Sequence, residues 1–369
     1  MNNKIVLTAN TSWYLYNFRK GTIKALIDTG YKVYTVAPDF KYAEKLSELG
    51  TIHSFIYMDI HSRNPFKDIA TFFSYIKQYK TIQPYLVLNF TPKPNIYSTL
   101  AAAIMRRQVI NNISGLGNVF VSAGITNRIV KLLYKISQRF ANHIFFQNND
   151  DMEFFLKKKM IDSSKVSQLP GSGVDVHQFA FSELPEEPDK FILISRMIKE
   201  KGIELYALAA EKVRKIYTNV EFALIGDIEP NNPSGISIDL IHEWEQKGIL
   251  KYLGHTDNMA HVIQHYTAVV LPSYYREGIP RSLLEAGALG RPVITTDNIG
   301  CRDAVVDGVT GFLCQPKDVD SLIDTIMRYI RLPYHEKEKM GKAGRAYIKQ
   351  NFDEKIVIDK YFEKIQGNR

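Results

Sequence analysis

The sequence predicts an α/β protein of two lobes, each a parallel sheet with helices on both faces, facing each other across a cleft. Short β-branched and aromatic runs alternate with longer amphipathic ones, the pattern of repeated βαβ units. That alternation stops at a polar, proline-bearing connector, Glu183 to Pro188, and then starts again. A length of 369 residues suits about two domains.

In the first lobe the strand candidates are Lys4–Ala9, Lys32–Ala37, Ser54–Met58, Leu86–Phe90, Val109–Asn112 and Ile144–Gln147. Helical spacing of apolar residues lies between them, near 17–29, 40–49, 66–80, 95–106, 126–141 and 150–159. In the second lobe the strands are Phe191–Ser195, Glu221–Ile225, Leu250–Leu253, Ala268–Pro272 and Val293–Thr295. Helices are predicted near 202–217, 237–247, 258–265, 281–289 and 318–331. The domains are therefore set at 1–180 and 181–350, with a tail at 351–369. The tail is helical over Asp353–Ile365 and is expected, on architectural grounds, to return to the first lobe. In open α/β sheets ligands bind beyond the carboxyl ends of the strands, so chemistry is sought in the loops that follow them.

Composition excludes several classes. With 45% hydrophobic and 23% charged residues, the chain is neither disordered nor low in complexity. Two cysteines, Cys301 and Cys314, cannot make a disulfide scaffold or a four-thiolate zinc site, and read as reduced thiols of a cytoplasmic protein. No apolar run approaches the ~18 residues that span a bilayer, and the first ten residues have none of the length of a signal peptide. Membrane contact, if made, is expected from the cytoplasmic surface. The net charge of +8 is uneven: residues 1–180 hold 22 Lys+Arg against 11 Asp+Glu, and residues 181–369 hold 25 against 28. A basic first lobe suits a polyanionic partner.

Two strand-end loops carry most of the chemistry. Ser195 to Gly202 runs from a buried strand through Arg196 and Lys201 to a helix start. Fixed cations beside a helix N-terminus suit a diphosphate. Glu277 to Ala286 follows the strand Ala268–Pro272, with Gly278 permitting close backbone approach and a helix starting near Pro280 or Arg281. Carboxylates suit sugar hydroxyls, because each accepts several hydrogen bonds. Glu285 sits in the apolar segment Leu283 to Leu289, where a carboxylate needs a partner. Gly226-Asp227 and Tyr252-Leu253-Gly254 are further strand ends with ligand-facing glycines. The basic residues Arg128, Lys131, Lys135 and Arg139 recur at helical spacing, with Ile129, Val130, Leu132, Leu133, Ile136 and Phe140 on the rest of the wheel. They form either a solvated face over a buried one or a patch for anionic lipid. There is no Walker loop, GxSxG elbow or HExxH, and the first strand–helix turn, Ala9 to Tyr14, lacks the glycines of a dinucleotide site.

The second half resembles the donor lobe of retaining glycosyltransferases of family 4. The resemblance rests on an ordered set spanning roughly residues 165–350: LPGSGVD, SRMIKEKG, LIGD, YLGHTD, LPSYYREGIPRSLLEAGALGRPVITTD and DGVTGFL. Ser172 stands where the family usually has Asn. The resemblance implies the GT-B fold, two Rossmann-like parallel-sheet domains around a cleft. It implies that Arg196 and Lys201 hold the donor diphosphate, that Glu277 binds sugar hydroxyls and that Glu285 binds the ribose. Backbone from Gly278 through Ile279, Pro280, Arg281 and Ser282 to Leu283 would approach phosphates and sugar. Gly226, Asp227, Tyr252 and Gly254 would complete donor binding. The donor would be a UDP-linked hexose or N-acetylhexosamine, used with no tightly bound cofactor or metal. Retention by front-face substitution would let the leaving diphosphate receive the acceptor proton, with Arg196, Lys201 and Glu277 as the catalytic groups.

The first lobe is similar to bacterial transferases that build O-antigen, lipopolysaccharide, capsule or other lipid-linked glycans, through Tyr16-Asn17-Phe18-Arg19, Leu88 to Asn95 and Ser114-Gly115-Leu116-Gly117. Several of these move N-acetylgalactosamine, in α1,3 linkage, onto a sugar carried by undecaprenyl diphosphate. The resemblance implies Arg19, Lys93, Gly115 and Gly117 on the acceptor side. It also implies the basic stripe on an anionic membrane, so that the enzyme is peripheral on the inner face of the cytoplasmic membrane. Three alternatives compete: a UDP-N-acetylglucosamine 2-epimerase, a basic nucleic-acid-binding protein and a nicotinamide dehydrogenase. The basic lobe disfavours the first, the Glu277/Glu285 pair the second and the missing glycine fingerprint the third.

Overall fold

The computed structural model describes residues 3–60, 62, 64–116, 125–186, 188–230 and 232–367. They form two compact units, Met1–Ser172 with Lys355–Arg369, and Gly173–Glu354.

The first unit is a seven-stranded parallel sheet. Its strands are β1 (Lys4–Thr8), β2 (Lys32–Ala37), β3 (Ile52–Phe55), β4 (Leu86–Asn89), β5 (Gln108–Ile113), β6 (His143–Phe146) and β7 (Val166–Gln168). They lie in the order β3-β2-β1-β4-β5-β6-β7. Side chains alternate between the two faces, as the pleat requires. Ile5, Leu7, Leu86 and Leu88 join the cluster under the helix Ser12–Asp28, whereas Val6 and Val87 join the cluster under Pro65–Ile82. The C-terminal helix Glu354–Gly367 buries Val357, Tyr361 and Ile365, one stripe at four-residue spacing, in the first of these clusters.

The second unit holds β8 (Lys190–Ile194), β9 (Glu221–Ile225), β10 (Lys251–Tyr252), β11 (Ala268–Leu271), β12 (Val293–Thr296) and β13 (Gly311–Cys314), all parallel. Their order is β10-β9-β8-β11-β12-β13. The chain reverses its direction of travel through this sheet between β8 and β11, the crevice position where such sheets bind ligands.

The structure departs from the sequence reading in five places. The unit boundary falls at Ser172/Gly173 rather than 180/181. The start of the stretch expected as a linker is instead anchored on the second unit, where Arg291 donates to the Glu183 carbonyl and the Tyr334 hydroxyl to that of Leu184. The first helix starts at Ser12, not near 17, because Thr11 accepts from the Tyr14 amide as its N-cap. The strands β7 and β13 and the helix Tyr334–Asn351 were not foreseen: the strands are only three and four residues long, and the helix carries few apolar residues. The segment near 95–106 begins as a π turn, Pro94–Ser98, before the helix Thr99–Ile104.

One core histidine makes a pH prediction. His143 is 7% exposed and its Nε2 lies 2.8 Å from Ser167 Oγ. Burial, with Lys364 nearby, holds the imidazole down from about 6.5 to about 4. The unfolded chain takes up this proton before the folded one does. The stability it contributes is therefore complete above pH 6.5 and lost as pH falls through 4, by about 3 kcal/mol in all. His143→Gln keeps a hydrogen-bonding partner for Ser167 and cannot be protonated. Its urea midpoint should fall less steeply than wild type between pH 7 and pH 4.5.

Candidate functional site

The carboxyl ends of β8, β9 and β10 bring four of the expected donor-side residues together. Met197 N–H donates to the Asp227 carbonyl at 2.9 Å, so the loops after β8 and β9 fold onto each other. Gly226 stands between them at φ +142°, and a Cβ there would lie 1.8 Å from the Ser195 carbonyl oxygen. Its amide donates to the Gly254 carbonyl and its carbonyl accepts from the Tyr252 hydroxyl, both at 2.8 Å. Asp227 lies 3.0 Å from His255 Nδ1. Arg196, 51% exposed, reaches Glu229 Oε1 at 3.1 Å, and Glu229 also accepts from Asn232 Nδ2.

Lys201 and Glu277 meet across the switch point. Lys201 closes a 3-10 turn, Lys199–Lys201, before the helix Ile203–Ile216. Gly202 links the two at φ +78°, where a Cβ would come 2.2 Å from the Pro272 carbonyl oxygen just beyond β11. The Glu200 carbonyl accepts the amides of Tyr274 and Tyr275 at 2.9 and 3.1 Å, tying the loop after β11 to that turn. The Lys201 ammonium thereby pairs with Glu277 Oε1, the side chains being only 12% and 11% exposed. Ser273 Oγ donates to the same carboxylate oxygen at 3.0 Å. The paired ammonium and carboxylate are neutral together, and offer a polar ligand hydrogen-bond donors and acceptors side by side.

The helix Arg281–Ala288 starts at this edge. Glu285 finds its partner within the helix: Arg281 Nε donates to Oε1 at 2.9 Å, one turn apart. Burial pushes the Glu285 carboxyl up, with Arg281 opposing. Gly278, Ile279 and Pro280 are buried. Leu283 is wholly buried and its amide donates to the Pro280 carbonyl. Gly300 presses on this loop at φ +81°, its would-be Cβ 1.6 Å from the Gly278 carbonyl oxygen. Gly300, Ser273 and Glu229 were missed by sequence reasoning. The one available signal was a serine directly after the buried run ending at Pro272. Among the described residues no group of three or more His, Cys, Asp and Glu is placed to hold a metal ion.

The first unit corrects several acceptor-side expectations. Arg19 is 1% exposed, stacked 4.3 Å from the Phe90 ring centroid and donating to the Tyr14 hydroxyl at 3.0 Å. It is a core cation among aromatic rings, not a surface contact. Lys93 is held by Asp68 at 2.6 Å and the Ser62 carbonyl at 2.8 Å. Asn89 and Asn95 in the same motif are buried in a hydrogen-bonded network with Ser98, Thr99, Asn111 and Gln138. That motif builds the unit. Gly115 is half-buried at φ +101°, and Gly117 lies outside the described residues. Of the basic stripe, Arg128 and Arg139 are exposed and Lys131 and Lys135 half-buried.

Comparison with known proteins now bears on this geometry. Residues 176–347 match the model of the Glycosyl transferases group 1, and residues 4–148 that of the Glycosyl transferase 4-like family. The chain is 26% identical to the N,N'-diacetylbacillosaminyl-diphospho-undecaprenol alpha-1,3-N-acetylgalactosaminyltransferase of Campylobacter jejuni, covering 95% of this chain and 94% of the relative. It is also 26% identical to the UDP-Gal:alpha-D-GlcNAc-diphosphoundecaprenol alpha-1,3-galactosyltransferase of Escherichia coli, over 71% of this chain and 70% of that one. Among solved structures, Anabaena HepE in complex with UDP-glucose superposes with a TM-score of 0.80 at 18% identity, covering 99% of this chain and all of that one. One family match falls within each structural unit, and the second contains the whole Lys201–Glu277 crevice. The chain belongs to the group 1 glycosyltransferases of family 4, retaining enzymes with the GT-B fold.

Proposed function

We propose that the enzyme moves a hexose or N-acetylhexosamine from a UDP-sugar to a saccharide carried on undecaprenyl diphosphate, in the assembly of a bacterial surface glycan. The second unit takes the donor and the first the acceptor. The observation that carries this reading is the Lys201–Glu277 pair at the switch point, where a cation and a carboxylate stand side by side, with Arg196 in the same loop as Lys201 after β8. Arg196 and Lys201 take the diphosphate, Glu277 the sugar hydroxyls, and Glu285 the ribose from its place on the Arg281 helix. The bond from C1 to the diphosphate oxygen breaks while the acceptor oxygen attacks the same face. The acceptor proton passes to the leaving diphosphate, whose charge the two cations stabilise. The names of the two undecaprenyl-linked relatives support the acceptor class.

The test is nucleoside diphosphate release from a panel of UDP-, GDP- and dTDP-sugars, with and without short-chain prenyl-diphospho-N-acetylhexosamine acceptors. Acceptor-dependent release from a UDP-sugar is expected. Acceptor-independent release of UDP from UDP-N-acetylglucosamine would instead mark an epimerase and overturn the proposal.

A further inference from the structure

Three helical segments of the first unit share one side of its sheet. Pro65–Ile82 and Ile125–Ser137 both pack on the Pro94–Ser98 turn, which leads into Thr99–Ile104, and Tyr97 belongs to the apolar clusters beneath both. Their inner faces are ordinary core: Tyr75, Tyr79, Ala101, Ala102 and Tyr134 are buried. Their outer faces are not ordinary surface. Phe66, Ile69 and Phe73 stand exposed at one-turn and two-turn spacing, Phe66 by 79% and Phe73 by 60%. Ile104 follows on the middle segment. Ile129, Leu132, Ile136 and Phe140 form a second exposed stripe, Leu132 by 57%. Scattered exposed apolar side chains need no explanation, but stripes on adjoining helices make a patch.

The charge pattern names the partner. From Ile69 to Asn149 the sequence has no Asp or Glu, against nine Lys and Arg. Lys77, Lys80, Arg106, Arg128 and Arg139 on these segments are exposed. Asp68, the acid at the edge of this span, is occupied by Lys93. Apolar side chains ringed by an excess of cations, with Asp59 and Asp68 already paired to Lys67 and Lys93, suit an anionic lipid surface, where apolar burial and headgroup attraction add. They do not suit a protein partner read by mixed charge. No helix among the described residues is long and apolar enough to cross a membrane, so contact on this face is interfacial.

We propose that this helical face inserts Phe66, Phe73, Leu132 and their apolar neighbours into the headgroup boundary of an anionic bilayer, so that attachment is hydrophobic as well as electrostatic. The proposal deepens, and rests on, the reading that the acceptor is lipid-linked.

The full chain would be co-sedimented with phosphatidylglycerol/phosphatidylethanolamine vesicles and with phosphatidylcholine vesicles, in 0.1 M and 1 M NaCl. Binding to the anionic vesicles is expected, with a fraction persisting at 1 M salt, where exposed charges are screened. The triple variant Phe66→Ser, Phe73→Ser, Leu132→Ser should lose the salt-resistant fraction and bind at least about tenfold more weakly, since each buried side chain accounts for about a tenfold factor. Its melting temperature should not change, because these side chains leave the core untouched. The variant with Arg128, Lys131, Lys135 and Arg139 all changed to Gln should lose binding at low salt. Phe73→Trp should shift its emission to the blue on adding anionic vesicles. Complete release of wild type at 1 M salt, an unaltered triple variant, or an unshifted tryptophan would overturn insertion. A dimer that falls apart in the triple variant would assign the face to a second copy instead, and would overturn it too. Activity on short-chain, water-soluble acceptors separates the two readings. Transfer without vesicle binding sinks the insertion alone, whereas vesicle binding without any transfer sinks the proposed function.

Discussion

Lys201→Met should lower kcat/KM by about a thousandfold, the effect of deleting one preorganised charge from a site where transition-state charge develops. The same change strands Glu277. Its carboxylate, 11% exposed, would keep Ser273 but lose the ammonium, and breaking a buried pair from one side costs about 3–5 kcal/mol. Activity and stability must therefore be read together. In Lys201→Met with Glu277→Gln, the stranded charge is gone, so thermal stability should return toward wild type while activity stays low. A stable double variant with wild-type turnover would refute the catalytic role of the pair. Arg196→Ala supplies the contrast. This guanidinium is half exposed and its partner Glu229 keeps Asn232, so melting should barely move. Turnover should fall by one to two orders of magnitude if Arg196 holds the diphosphate.

Gly300→Ala should be among the most damaging single changes in the second unit, although nothing about its chemistry suggests it. The added methyl would sit 1.6 Å from the Gly278 carbonyl oxygen, and the backbone at φ +81° already disfavours a side chain. The neighbour is backbone and cannot swing aside. Either the 298–301 segment or the Glu277–Gly278 loop must move, and the cost should exceed 3 kcal/mol, on the order reserved for forbidden backbone contacts. Moving the latter carries Glu277 away from Lys201, so the donor KM should rise even in protein that remains folded. Gly248→Ala is the matched control. It too has positive φ, +64°, but meets nothing within 4 Å. It should cost about 1 kcal/mol and leave kinetics unchanged. Equal effects at the two positions, measured by thermal melting and donor titration, would refute the steric argument.

Much of the fold was legible because parallel sheets leave a strong local signature. Buried strands such as Ile5–Leu7 and Val269–Leu271 are continuous apolar runs, and the intervening helices carry a 3.6-residue stripe. The ordered motifs around Arg196, Lys201 and Glu277 likewise pointed to one edge of one sheet, since parallel topology puts all the strand ends on the same side. Short or weakly apolar elements, β7, β13 and Tyr334–Asn351, were lost because their signal comes from neighbours distant in sequence.

Other properties belong to the tertiary structure alone. Arg19 and Arg128 are both basic residues on amphipathic helices, yet one is walled in by Phe90 and Tyr14 and the other stands in solvent. The wheel of Ile125–Ser137 shows an apolar stripe but not which stripe faces the sheet; packing turned Tyr134 inward and left Ile129 and Leu132 outside. Glu285 required a partner on sequence grounds, and only coordinates supplied Arg281. By itself, then, the sequence determined the two-lobed α/β class and the strand-end loops that bear the chemistry, because periodicity and residue type act locally. Burial, ion pairing and close backbone approach were decided in three dimensions, because each depends on groups that meet only after the chain has folded.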